Sequence, residues 1–191
     1  MLARWFVERD QPVTIVREPG GVAVSEHIRA LLLDPEHKAM HPVTEMLLFS
    51  SARSQLVHEV IKPALEVGTH VIADRFFDST TAYQGYGRGL EISRILSLNQ
   101  IAAHDIEPDL TLILDIPVDE SLRRRAAAER KADRMELADA DFFERVRSGY
   151  HLLAERFPAR IQLLDGTQPA EDISASIRAL IAAWEERVKP S

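Results

Sequence analysis

Residues 13–21 read VTIVREPGG and give the first indication of the fold. The β-branched run Val13 to Val16 is typical of a buried strand, and the arginine, glutamate and Pro-Gly-Gly that follow predict a charged turn at its end. Proline fixes its own φ, while two glycines permit positive φ and close approach of the backbone to a ligand. A plain strand-to-helix turn explains the same residues equally well, so both interpretations stay open.

Three similar runs follow, separated by stretches with helical periodicity. The four runs are Val13 to Val16, His70 to Ala73, Leu110 to Ile116 and Arg160 to Leu164. Strands that alternate with helices predict an α/β fold with a three-layer parallel sheet and helices on both faces. One helix is predicted over 42–67, kinked near Pro63 and ended by Gly68. Because the chain has no repeat, low-complexity tract or Gly/Ser linker, residues 1–191 are predicted to form a single domain.

The composition excludes several classes of protein. The 23 Lys and Arg residues against 30 Asp and Glu give a net charge of −7, which argues against a protein that coats nucleic acid. The absence of cysteine excludes a disulfide scaffold, a zinc–thiolate site and a cysteine nucleophile. No apolar run approaches the roughly 20 residues that span a bilayer, and acids near the start are unlike a signal peptide. We therefore predict a cytoplasmic protein without a nucleic-acid or membrane partner.

Polar or charged side chains follow every predicted strand. The second, third and fourth runs lead into Asp74-Arg75, Asp115 and Asp165-Gly166-Thr167-Gln168. Ligands of parallel sheets bind beyond the carboxyl ends of the strands, so these side chains are candidates for a site. An aspartate there can hold Mg²⁺ through a water while the adjacent arginine binds a phosphate, although a surface Asp–Arg pair is the alternative for Asp74 and Arg75.

Three further groups of side chains suit a nucleotide. Phe49 and Arg53, four residues apart on the predicted helix, could stack on a base and hydrogen-bond its edge; a core phenylalanine beside a solvated arginine is the alternative. The segment from Ser79 to Gly89 offers hydroxyls, a carboxamide and aromatics, which can bind a base or sugar. The arginine cluster over 123–134 suits neutralisation of a transferred phosphoryl group, or else forms a solvated helix face.

In this order the motifs resemble the thymidylate kinase family, which phosphorylates thymidine monophosphate with ATP. The resemblance extends over nearly the whole chain, and its REPGG turn and arginine-containing lid are similar to the bacterial branch. The matching motifs are REPGG at 17–21, LLLD at 31–34, Phe49 with Arg53 followed by Gln55-Leu56, VIKPAL at 60–65, Asp74-Arg75, Ser79-Thr80 with AYQG-x-GRG at 82–89, PDLT-x-x-LD at 108–115, Asp133-Arg134-x-Glu136 and DGTQ at 165–168. The implied fold is that of the P-loop nucleoside monophosphate kinases, and the implied assembly is a homodimer.

The resemblance also implies roles for residues at the matching positions. Thymine would stack on Phe49 and bond to Arg53, and Arg75 would hold the acceptor phosphate. The other residues implied to line the monophosphate site are Arg17, Glu18, Pro19, Ser79, Thr80, Tyr83 and Gln84. Asp74 would support Mg²⁺. The residues implied on the ATP side are the catalytic arginines Arg130 and Arg134, in a lid over about 123–140, and Arg123, Thr167 and Gln168 beside adenine.

One motif of the family is absent. The family begins with a strand and a P-loop, G-x-x-x-x-G-K-[ST], but here no glycine precedes Gly20 and no lysine precedes Lys38. The helix that follows the P-loop corresponds to Leu2 to Arg9. We therefore expect Met1 to be an internal methionine, with roughly 15–25 residues that carry the first strand and P-loop upstream.

Three functions are compatible with the sequence. The first is ATP-dependent phosphorylation of thymidine monophosphate to the diphosphate. The second is a non-catalytic nucleotide-binding remnant, because the P-loop is missing. The third is a related kinase for another nucleotide. Phe49, Arg53 and Ser79 favour thymine as the base over this third possibility.

Overall fold

The computed structural model describes residues 1–127 and 131–188, and in these ranges parallel strands alternate with α-helices. The elements are α1 Leu2–Val7, β1 Val13–Arg17, α2 Ala23–Leu33, α3 Pro42–Leu56, α4 Lys62–Glu66, β2 His70–Asp74, α5 Phe77–Thr80, α6 Ile92–Ala102, β3 Thr111–Asp115, α7 Val118–Ala127, α8 Ala140–Arg156, β4 Ile161–Asp165 and α9 Ala170–Val188. The predicted α/β class is confirmed. Among the described helices, none combines the length and the apolar character that crossing a membrane requires.

The strands pair as two separate two-stranded parallel sheets, β1 with β2 and β3 with β4. Within the described residues β2 and β3 are not paired, so the predicted single three-layer sheet is met only in part. Ile15 of β1 and Leu114 of β3 are 64% and 50% exposed, so described helices do not cover both faces of each pair completely. Apolar runs identify strands, but pairing depends on how the crossovers place them, which the runs do not encode.

The register of the sheets places the charged strand ends side by side. Arg17 lies opposite Asp74 at the end of the first pair, and Asp115 lies opposite Asp165 at the end of the second. Parallel strands present their carboxyl ends at one edge, so each pair concentrates charge there.

The predicted long helix is present with an irregular centre. Between α3 and α4 the chain forms a π-helical turn, Val57–Ile61. Pro63 has no backbone N–H to donate to the carbonyl four residues before it, and the turn widens just ahead of the proline. Gly68 then ends the helix with φ of +74°, the left-handed conformation that glycine adopts most easily.

Two apolar clusters hold the elements that surround the strand ends. One joins α8 to a π-helical segment, Thr81–Gly87, through Ala82, Phe142 and Val146. The other packs Leu56 and Val57 against Val16 of β1. The segment 81–87 and the turn after β1 are thereby fixed by buried side chains.

Gly149 is a point of close contact between helix α8 and segment 81–87. A Cβ on Gly149 would lie 2.7 Å from the Cβ of Tyr86, a contact that requires the backbone to shift. We expect Gly149→Ala to lower the free energy of unfolding by about 1–3 kcal/mol, the usual range for overpacking. Urea denaturation measures this, with the exposed Ser148→Ala on the same helix as control, expected within about 0.5 kcal/mol of wild type. Equal stability of the two variants would contradict this packing.

Candidate active site

A cleft of about 630 Å³ opens beyond the ends of β1 and β2. Its wall contains all ten residues that the sequence assigned to a monophosphate site: Arg17, Glu18, Pro19, Phe49, Arg53, Arg75, Ser79, Thr80, Tyr83 and Gln84. Asp74 lies in the same wall. These side chains come from the end of β1 and the turn after it, helix α3, the end of β2, and α5 with the segment that follows it. Tertiary packing therefore brings four separate stretches of sequence around one cavity.

The turn after β1 is held by side chains of helix α2. Glu26 accepts hydrogen bonds from the Gly21 backbone N–H (2.6 Å) and from Arg17 Nη2 (2.8 Å). The hydrogen bond from Gly21 is the main reason that the pKa of Glu26 is lowered. The Pro19 carbonyl accepts from Arg17 Nη1 and, at 2.8 Å, from Arg29 Nη1. Gly21 has φ of +94°, which a side chain would strain. The turn is thus a fixed part of the cleft wall.

Arg53 is buried, with 1% exposure, so the alternative of a solvated arginine is wrong. Its Nε donates to both carboxylate oxygens of Glu18 (3.1 and 2.9 Å), and its Nη2 donates to Thr80 Oγ1 (2.8 Å). Burial raises the pKa of Glu18, and the charge and hydrogen bonds of Arg53 oppose that rise. The guanidinium is therefore locked in place at the cleft.

Arg75 differs from Arg53 in that the residue as a whole is exposed. It follows β2 directly with φ of +71°, a conformation uncommon for residues with a side chain. The guanidinium carbon lies 5.1 Å from the centre of the Tyr83 ring. Nearby, Tyr150 donates to Ser79 Oγ (2.9 Å), and burial raises the pKa of Tyr150 to about 12, so the phenol is neutral at physiological pH. An exposed arginine in a cleft can bind a phosphate.

Asp74 is an exposed carboxylate at the end of β2. In the described parts of the chain, no three His, Cys, Asp or Glu side chains come together as a metal cluster. Mg²⁺ typically uses one or two protein carboxylates and takes its other ligands from water and substrate phosphates. The exposed carboxylate of Asp74 in the cleft wall fits that chemistry, and it does not fit a metal held by the protein alone.

Several residues line the cleft that the sequence did not assign to the monophosphate site. They are Arg29, Leu33, Phe76, Ser121, Arg125, Asp133, Met135, Glu136 and Phe143. Arg125 lies 4.1 Å over the Phe143 ring and donates to the Glu136 carbonyl. Its membership of the arginine cluster was the available signal, whereas no motif marks Arg29.

Four of the residues assigned to the ATP side, Arg123, Arg134, Thr167 and Gln168, are described by the structure and do not line this cleft. Arg123 pairs with Glu120 at 2.8 Å, whereas the next residue, Arg124, donates to the Gly166 carbonyl in the loop after β4. Thr167 and Gln168 both bond to Asp165. Arg134 is buried away from the cleft, and Arg130 lies outside the described residues. The roles of these residues stay predictions.

Glu45 is a buried acid that the sequence did not single out. Its carboxylate accepts hydrogen bonds from Gln84 (2.9 Å), Arg88 (3.1 Å) and Arg134 (2.6 Å). Burial alone would raise the pKa of Glu45, but these three partners outweigh it and hold the pKa below its usual value. The spacing of Glu45 from Phe49 and Arg53 was the available signal, because residues at i, i+4 and i+8 share a helix face.

The lowered pKa of Glu45 predicts how stability depends on pH. The unfolded chain takes up the proton near the ordinary value of 4.5 and the folded chain only at lower pH, so the stabilisation is complete above 4.5 and is lost below it. The free energy of unfolding therefore falls as the pH is lowered below 4.5. We expect Glu45→Gln to make this fall less steep, by at most about 1.4 kcal/mol per pH unit. Urea denaturation from neutral to acid pH measures the slope. The exposed Glu66→Gln is the control, and an unchanged slope for Glu45→Gln would contradict the assignment.

The fold and the cleft define an α/β nucleotide-binding protein, because parallel strand ends, arginines and aromatic rings converge on one cavity. The family model described as thymidylate kinase matches residues 1–177. A thymidylate kinase of Chlorobaculum parvum is 43% identical over 192 residues, covering 96% of this chain and 88% of the relative. One from Kosmotoga olearia is 46% identical over 177 residues, covering 92% and 84%.

A solved structure is similar as well. The crystal structure of thymidylate kinase from Ehrlichia chaffeensis has a TM-score of 0.74 and 30% identity to this chain, and the match covers 94% of this chain and 87% of that one. The chain therefore belongs to the thymidylate kinase family, phosphotransferases that act on thymidine monophosphate. The resemblance inferred from the sequence motifs is confirmed, and kinase function is favoured over a non-catalytic remnant.

Proposed function

We propose that the cleft binds thymidine monophosphate for phosphorylation to the diphosphate, with ATP as the donor that the family uses. The observation that carries the proposal is that the ten side chains implied by the family resemblance all line one cavity. If these residues were ordinary surface residues, positions as far apart in sequence as Arg17 and Gln84 would not be expected to line the same cavity. The cavity volume is within the range typical of small-molecule sites.

The base would lie between Phe49 and the polar wall. Arg53 would hydrogen-bond the base edge, and its position is already fixed by Glu18 and Thr80 before any ligand binds. Such preorganisation reduces the entropy lost on binding. Ser79, Thr80, Tyr83 and Gln84 would complete the pocket for base and sugar.

The phosphate would lie near Arg75, with Arg17 and Pro19 at the same end of the cleft. Transfer would be direct, from donor to acceptor oxygen without a covalent enzyme intermediate, so the residues act by positioning and by neutralising charge. Mg²⁺, when bound, would supply positive charge that neutralises the phosphate groups. Asp74 would hold it, because its carboxylate is exposed in the cleft wall.

The donor side involves residues 123–140, proposed as a lid with Arg130 and Arg134. The bond from Arg124 to Gly166 supports Arg124, rather than Arg123, as the arginine beside Thr167 and Gln168 at the adenine position. The 191 residues contain no P-loop motif. Phosphoryl transfer by this chain is therefore assayed separately from binding of the monophosphate.

We also propose the finer features of the fold and assembly. The two strand pairs would belong to one three-layer parallel sheet of the nucleoside monophosphate kinase type, which is supported by the charged carboxyl ends of both pairs. A homodimer is supported by exposed apolar side chains on α2 and α3, including Val24, Leu31 and Leu47. The net charge of −7 supports a protein without a nucleic-acid partner, and we place it in the cytoplasm.

Calorimetric titration with thymidine monophosphate and deoxyadenosine monophosphate tests the site, and a coupled assay with ATP and Mg²⁺ tests the reaction. We expect the thymidine nucleotide to bind at least about tenfold more tightly than the adenine nucleotide, and we expect transfer to it. Absence of binding would overturn the proposed site. Binding without transfer, both by these 191 residues and by a chain that carries a P-loop upstream of Met1, would support the non-catalytic alternative, and a preference for another base would support a related kinase.

A further inference from the structure

We propose that Glu45 is a positioning residue for the monophosphate site, acting through Gln84 and Arg134 from behind the cleft wall. The inference rests on the proposed binding of thymidine monophosphate in the cleft. It assigns a function to the buried carboxylate that the reaction itself does not use.

Glu45 lies in the first turn of α3, one end of a row that continues with Phe49 and Arg53 on the same face. Phe49 and Arg53 line the cleft, but Glu45 does not, and it is 1% exposed. A buried carboxylate is costly unless it is fully hydrogen-bonded. Its position directly beside the substrate-binding face therefore requires partners, and those partners connect it to the cleft.

The two oxygens of Glu45 collect hydrogen bonds from three side chains. Oε1 accepts from Gln84 Nε2 (2.9 Å) and Arg88 Nε (3.1 Å), while Oε2 accepts from Arg88 Nη2 (3.1 Å) and Arg134 Nη1 (2.6 Å). Four bonds match the about four acceptor sites of a carboxylate. The Glu45 carboxylate thus joins helix α3 to Gln84 in segment 81–87, to Arg88 directly after that segment and to Arg134.

The charge of Glu45 fixes how Gln84 is oriented. A carboxylate can only accept, so the Gln84 amide must turn its NH₂ group toward Glu45 and keep its carbonyl oxygen on the other side. Gln84 lines the cleft, where a carbonyl acceptor favours a base with a ring N–H, such as thymine, over cytosine, whose ring nitrogen is itself an acceptor. A glutamine at position 45 could donate as well as accept, and the orientation of Gln84 would no longer be fixed.

The same carboxylate anchors the other side of the wall. Arg134 is buried; its Nε donates to the Leu32 carbonyl (2.7 Å), and its backbone amide donates to Leu33 (3.0 Å). Its neighbours Asp133 and Met135 line the cleft. Loss of the charge on Glu45 would leave a buried guanidinium without its acid and release this part of the wall.

The test compares Glu45→Gln with the matched control Glu185→Gln on helix α9. Glu185 pairs with Arg9 at 2.6 Å, the same distance that separates Glu45 from Arg134. Calorimetry with thymidine and deoxycytidine monophosphates, well below the unfolding temperature, measures Kd. We expect Glu45→Gln to raise Kd for the thymidine nucleotide about tenfold and to reduce the preference over the cytidine nucleotide. The control is expected to stay within about twofold of wild type.

A lowered Tm with unchanged Kd and preference would overturn the positioning role, because Glu45 would then be purely structural. Failure of the wild-type protein to bind thymidine monophosphate would overturn the proposed function itself, which is a distinguishable result. If Glu45→Gln does not fold, Arg134→Met removes one partner and leaves Glu45 bonded to Arg88. We expect it to raise Kd about threefold without ATP present, and an unchanged Kd would overturn the coupling.

Discussion

Arg75→Ala is expected to reduce kcat/KM for thymidine monophosphate by about 10²–10³-fold, the range seen when one charge-stabilising donor is removed from an active site. Arg75 is exposed in the cleft wall and makes its ring contact with Tyr83, so the folded state depends little on it. A coupled phosphoryl-transfer assay measures the rate, and a thermal melt is expected to show a Tm close to that of wild type.

Binding measurements separate the phosphate contact from other effects of this substitution. The affinity for thymidine monophosphate is expected to fall, while that for thymidine, which has no phosphate, stays the same. Arg94→Ala removes a strongly exposed arginine outside the cleft, paired with Glu91, and serves as the control with wild-type behaviour. A fall in Tm that matches the loss of activity would point to a structural role for Arg75 instead.

Arg53→Met is expected to affect stability and binding together. It removes the partner of Glu18, whose carboxylate is buried, and breaking a buried ion pair from one side typically costs about 3–5 kcal/mol of unfolding free energy. It also removes the group that holds the base edge, so affinity for thymidine monophosphate is expected to fall by at least about 100-fold. Urea denaturation and calorimetric titration measure the two effects.

The double variant Glu18→Gln, Arg53→Met distinguishes the two effects. Without the buried charge of Glu18, part of the lost stability is expected to return, because a neutral pair carries a smaller desolvation penalty. Binding is not expected to return, since Arg53 is still absent. Recovery of binding along with stability would show that Arg53 acts only by compensating Glu18.

Residues of the candidate site could be predicted from the sequence where a local pattern marks them, such as helical spacing or a position directly after a strand. Phe49 and Arg53 share a helix face because of their spacing, and Arg75 directly follows a predicted strand. In the structure all three line the cleft. Arg29 and Glu45 could not be found in this way. Their partners are the Pro19 carbonyl and the side chains of Gln84, Arg88 and Arg134, all of which become neighbours only on folding.

The sequence by itself determined the local elements and the residue types at the strand ends. Periodicity and propensity act over a few residues, which is why the runs at 13–16 and 70–73 formed strands and the stretch from 42 to 66 formed a helix. The family resemblance also came from the sequence alone, because the motifs and their order along the chain can be recognised without the structure.

Only the tertiary structure decided which strands pair and which charges are buried. Two strand pairs form where one sheet was predicted, and Arg53 and Arg134 are buried while Arg75 is exposed. The physical reason is the same in both cases. Strand pairing and the burial of a charge depend on neighbours distant in sequence, and a guanidinium is stable inside the protein only where folding supplies a carboxylate such as Glu18 or Glu45.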